Sequence, residues 1–258
     1  MANIKKTLLS LLIPILIVIA WFYTTNFTDT PSSILPSIGK VGKAFQGMVT
    51  AGQLQQDLSV SFARVLKGYL YSVLLGGLLG ILMGMSVTVK QIFNLIVTSI
   101  RQIPMIAWIP LIILWCGIGE RSKVVIIVIA AFFPIMINTL NGVEHTPKGY
   151  LEVAKLYKLS RWKTFVKVYF PHALPSVFVG LKLSLGVSWM AVVASELIAA
   201  TSGIGYRMSD ARSLMRSDIV IVCMLVIGLV GILMDKCLTL LFRALTPWES
   251  RNGGKANG

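Results

Sequence analysis

Long apolar runs alternate with short polar segments along the chain. Six runs reach or approach the ~20 residues that a helix needs to cross a ~30 Å hydrocarbon core. They cover residues 7–23, 61–85, 92–116, 123–140, 173–200 and 218–242. The pattern predicts an all-α membrane protein with six transmembrane helices. The first run follows Lys5 and Lys6, as a signal peptide would, but Trp21, Phe22 and Tyr23 stand where a small-residue cleavage site would be. It reads as a retained helix with an aromatic belt at its end, and Pro14 as a tolerated kink. The polar stretch that follows, rich in Gly and Pro, predicts a loop and a short amphipathic helix at the membrane surface.

Two runs carry small residues at every fourth position. In the second run these are Gly68, Ser72, Gly76, Gly80 and Gly84; in the fifth they are Gly180, Ser184 and Ser188. Lipid gives helices no hydrophobic reason to associate, so close contact must hold them together, and small residues permit it. Both faces are expected to meet other helices rather than lipid.

Segment 141–175, NGVEHTPKGYLEVAKLYKLSRWKTFVKVYFPHALP, is too polar to span a membrane and too regular for a plain linker. Apolar positions recur at helical spacing on either side of a turn near Lys158, Leu159 and Ser160, and Ser160 suits the cap of the second helix. A short, stiff helix pair between two spans can dock on a soluble partner. A basic pair can also lie on anionic headgroups.

Composition supports a membrane setting. Of 258 residues 55% are hydrophobic and 13% charged, against about 25% charged in soluble domains. The net charge of +14 sits mostly between apolar runs, without the interleaved aromatics of a nucleic-acid platform. With the N-terminus inside, inner segments carry twelve Lys and Arg and outer ones seven, with five in or at the ends of spans. Six of the inner residues lie in the loop 141–172 alone. The bias predicts cytoplasmic N- and C-termini and a cytoplasmic loop.

The loop also carries a family pattern. Glu152-x-Ala154, Phe165-x-x-Val168 and Phe170-Pro171 resemble the E-A-A loop of permease subunits in ATP-binding-cassette (ABC) importers. Segment 104–120 (PMIAWIPLIILWCGIGE), Phe133-Pro134, 186–196 (GVSWMAVVASE), 201–212 (TSGIGYRMSDAR), and Asp218 with Gly228, Gly231 and Asp235 are similar to the branch that handles sulfonates, taurine and nitrate. The resemblance implies the type I, MetI-like permease fold over residues 58–248, after a first helix and external loop at 1–57 and before a disordered tail at 249–258. It implies that Glu152, Val153, Ala154, Lys155, Lys158, Leu159 and Pro171 belong to a loop that couples to an ATPase. It further implies two ATPase subunits carrying ATP and Mg, a second copy of the permease, and an external solute-binding protein. The sequence departs from the pattern at the loop's glycine, where Lys158 stands, and at the middle alanine, where Val153 stands. Glycine there would take a left-handed turn freely; lysine must bear the strain or form another turn.

Ionisable residues inside spans are functional candidates by default. Arg101 and Gln102 precede Pro104, and Trp189 and Glu196 lie in the fifth run. All four are candidates for the translocation path of a small anion. Glu196, near the outer end, is better suited to pair with an Arg of the following loop. Lys182 is placed to snorkel. Cys116, Cys223 and Cys237 have neither a disulfide nor a metal spacing. No phosphate-binding loop is present, and Gly203-Ile204-Gly205 has no strand before it. The chain is therefore expected to carry no catalysis, metal or cofactor of its own. The rival expectation is a secondary transporter or ion-coupled channel that acts alone.

Overall fold

The computed structural model describes residues 2–245, and these fold almost entirely as helices. The expected tail at 249–258 lies outside the described residues. The helices are α1 (Ala2–Phe27), α2 (Ile38–Thr50), α3 (Gln53–Met85), α4 (Val87–Ile100), α5 (Met105–Cys116), α6 (Glu120–Glu144), α7 (Lys148–Leu156), α8 (Arg161–Thr164), α9 (Phe170–Ala199), α10 (Ile204–Ser213) and α11 (Ser217–Leu245).

At the centre α6 lies between α3 and α9. The small residues explain the closeness. A methyl group on Gly68 would stand 2.6 Å from the Ile127 side chain, one on Gly76 2.8 Å from the Phe132 carbonyl, and one on Gly80 2.6 Å from the Met136 carbonyl. Gly84 abuts Val143, and Ser72 donates across the interface to the Val128 carbonyl at 3.1 Å. From the other side Gly180 packs on Pro134 and Asn138, and Ser184 and Ser188 are fully buried. Gly142 meets Ala173 and Ser176 of α9. Both stripes thus face helices of this same chain.

The six-run reading needs correction in two places. Four helices, α3, α6, α8–α9 and α11, are individually long and apolar enough to span, and a fifth span arises if α4 and α5 count as one. The expected third span is broken: α4 and α5 meet at 97°. Local chemistry accounts for the break. The bonds Gln102 N–H to Ser99 O and Ile103 N–H to Ile100 O tighten the end of α4, and Pro104 keeps its predecessor out of helical geometry. The expected first run, residues 7–23, lies within α1, a single helix of 26 residues. The fifth span begins earlier than expected. Arg161–Ala199 is one continuous helix, because a wider π turn at Phe165–Tyr169 takes up the strain. Phe170 N–H bonds back five residues to Phe165 O, so Pro171 falls where the α ladder is already interrupted.

The predicted amphipathic helix is α2. Val41 and Met48 bury its apolar face, α2 packs on α11 and α3, and Trp21 Nε1 of α1 donates to Pro36 O at 2.9 Å. The hairpin of α7 and α8 stands at the end of the bundle where α6 leaves and α9 enters; α10 closes the opposite end.

Candidate functional site: a hairpin and a buried charge cluster

The hairpin is built around one strained residue. At the end of α7, Lys158 N–H bonds to Lys155 O at 2.9 Å and Leu159 N–H to Ala154 O at 3.0 Å. This pair of bonds is a Schellman stop, which requires a left-handed residue after the helix. Lys158 supplies it with φ 52. The turn that glycine would favour is therefore formed, with lysine in its place. Lys155 lies in the last turn of α7, where a cation suits the helix dipole. After the turn the Ser160 side chain accepts from Lys163 N–H at 3.3 Å and caps α8.

Ala154 is buried, while Glu152, Lys155 and Lys158 are exposed and Leu159 is half-buried. Val153, Ala154, Leu159 and Pro171 line a groove of about 640 Å³, together with Tyr150 and Tyr157. The hairpin also presents apolar side chains outward: Leu156 is 80% exposed, Tyr157 77% and Trp162 71%. An ordered turn with an uncovered apolar tip marks a contact surface.

The second feature lies at the far end of the bundle. Glu196 of α9 and Arg64 of α3 are buried side by side, 2.7 Å apart. All five N–H groups of Arg64 are used: Nε and Nη2 grip both oxygens of Glu120 at 2.8 and 2.5 Å, Nη1 reaches Glu196 and Ser202 O, and Nη2 also reaches Ser202 Oγ. Such a fork fixes geometry as well as charge. The Glu196 carboxylate also accepts from Gly205 N–H at 2.9 Å, and Ser61 Oγ lies 2.8 and 2.9 Å from its two oxygens while accepting from Ile204 N–H. The carboxylate thus sits on the N-terminus of α10, where an anion is favoured. Gly203 has φ 107, and a methyl group there would stand 2.5 Å from the Glu196 carboxylate. Beside this cluster Lys123 is buried and donates to Gly119 O at 3.0 Å. Arg207 of α10 bonds Asp57 of α3 at 2.7 Å, and that carboxylate raises the guanidinium above its usual range.

The four proposed path residues do not gather into one lining. Arg101 and Gln102 are exposed at the α4–α5 corner. Trp189 is buried, with Nε1 donating to Ile227 O of α11 at 3.0 Å. Glu196 pairs with Arg64 rather than with an Arg of the following loop. Lys182 meets Asp235 of α11 at 3.2 Å, a cross-helix pair that the sequence did not suggest. The cysteines are free, and no group of three His, Cys, Asp or Glu among the described residues is placed to hold a metal. Sequence reasoning missed Arg64 as the hub. Its signal was present, a charge inside an apolar run, but its partners stand 56 to 138 residues away.

Comparison with known proteins adds an independent line. Residues 72–251 match the family model described as binding-protein-dependent transport system inner membrane component. The chain is 35% identical over 223 residues to the taurine transport system permease protein of Escherichia coli, covering 86% of this chain and 80% of that one. It is 35% identical over 207 residues to the nitrate import permease protein of Leptolyngbya laminosa, covering 80% and 74%. In structure it is similar to a chain of the inward-facing MetNI methionine ABC transporter, with a TM-score of 0.59 at 16% identity, over 73% of this chain and 97% of that one.

Proposed function

The chain belongs to the family of binding-protein-dependent transport system inner membrane components and is the membrane-spanning permease subunit of an ABC importer; on that premise we propose that the Lys158 hairpin is where a separate ATPase takes hold. The observation that carries the proposal is the hairpin itself, an ordered turn with exposed Glu152, Leu156 and Tyr157 whose second arm continues without a break into α9. A helix is stiff along its axis, so a displacement of the turn moves α9 and, through Glu196, the start of α10. Val153, Ala154, Lys155, Leu159 and Pro171 shape and support the contact.

Two ATPase subunits, each binding ATP and Mg, would grip the hairpins of two permease copies. An external binding protein would deliver the solute to the end closed by α10, and the hairpin end would lie in the cytoplasm with both termini. Drawing the hairpins together would switch the pathway between inward-facing and outward-facing states. The solute is a small anion such as a sulfonate, taurine or nitrate. Support comes from the branch that the sequence resembles and from the names of the two relatives. The test is ATP hydrolysis by the complex reconstituted in lipid. Glu152→Ala and Ala154→Arg should abolish the stimulation by solute-loaded binding protein while the subunit stays inserted. Stimulation that survives both changes would refute the assignment.

A further inference from the structure

The transport reading leaves the outward face of α2 without a role, yet its composition is unusual. Gly39, Gly42 and Gly47 lie inside a 13-residue helix, where glycine is a poor helix former. Among the described residues, a methyl group at any of the three would meet nothing within 4 Å beyond its own turn of helix. The packing of this chain therefore does not require glycine there.

The two flanks of α2 differ in chemistry. Toward residues 222–229 of α11 lies a groove of about 350 Å³ lined by Trp21, Val41, Phe45, Val222, Leu225 and Leu229. Toward the start of α11 lies a hollow of about 360 Å³ lined by Lys40, Lys43, Arg216 and Asp218. Because α11 is apolar and long enough to span, residues 222–229 lie deeper than Arg216 and Asp218. So α2 rests across the bundle at one membrane surface, with its apolar flank toward hydrocarbon and its cationic flank toward water. Arg216 is taken up by Asp218 at 2.8 and 3.0 Å. No ion pair engages Lys40 or Lys43 among the described residues.

We propose that α2 holds one anionic phospholipid, with an acyl chain in the apolar groove and its phosphate at Lys40 and Lys43. The bare backbone at Gly39 and Gly42 lets the lipid cross the exposed face of the helix between the two hollows. Charge and depth together select this occupant. A soluble protein would have to enter the hydrocarbon to fill the groove, and a free anion would leave the groove empty.

Native mass spectrometry of the purified complex, supplied with phosphatidylglycerol or phosphatidylcholine, tests the site. The unaltered protein should retain one phosphatidylglycerol per copy. Lys40→Gln with Lys43→Gln should weaken that retention roughly thirtyfold, as expected for two lysines at an anionic surface. Gly42→Leu, which crowds the groove, should weaken retention of both lipids. Gly42→Ala should keep the fold, since its methyl meets nothing, and still weaken retention. Equal retention in every variant would overturn the proposal. So would displacement of the lipid by glycerol phosphate, which has no acyl chain. A disulfide between two copies carrying Gly42→Cys would overturn it as well, by placing a second chain in the groove.

Discussion

Lys158 holds a backbone conformation that any side chain beyond glycine opposes, at about 1 kcal/mol or more. The two hydrogen bonds of the Schellman turn and the burial of Ala154 hold it there. Lys158→Gly should therefore raise the stability of the purified protein by about 1 kcal/mol, and Lys158→Val should lower it, as read by thermal unfolding in detergent. At the other end of the molecule, Glu196→Ala should destabilise by about 3 kcal/mol, because it strips a buried cation of one partner and uncovers the first N–H groups of α10. Adding Arg64→Leu to that variant should cost less than the two single changes together. The sequence made both of these residues legible but hid the partner of one. Lys158 stood out because a family pattern places glycine there, so the backbone demand could be stated in advance. Glu196 was visible as a charge in an apolar run, but its partner was not, since pairing across three helices leaves no local spacing to read.

Helix contacts show the same division. The small-residue stripe on α3 could be read because every fourth residue faces one way on a helix. The pattern could not say which helix it would meet; the structure answers α6. Neighbouring glycines on α3 now make opposite predictions. Gly80→Leu should prevent the α3–α6 contact and leave little monodisperse protein in size-exclusion chromatography, since even its first carbon would strike the Met136 carbonyl. Gly77→Ala should be tolerated, because its methyl meets nothing within 4 Å. The α4–α5 corner was not legible, because hydropathy continues through it and only Pro104 hints at a break. The π turn was hidden for a related reason. The fifth run was expected to begin at residue 173, and a wider turn lets the helix pass straight through Pro171.

For the molecule as a whole, the continuous α8–α9 rod joins the hairpin to the buried charges. Two glycines inserted between Tyr169 and Phe170 should uncouple the ends. In the reconstituted complex, ATP hydrolysis should persist while solute uptake falls at least tenfold; uptake that keeps pace would show that the rod carries no load. The rod has 39 residues, which at 1.5 Å each is about 58 Å. A bilayer with its headgroups is only about 40–45 Å thick. The turn at Lys158 therefore stands clear of the lipid on its side, like a mast above a deck. Trypsin added from that side should cut after Lys158 of the permease alone, in vesicles of short-chain and long-chain lipid alike.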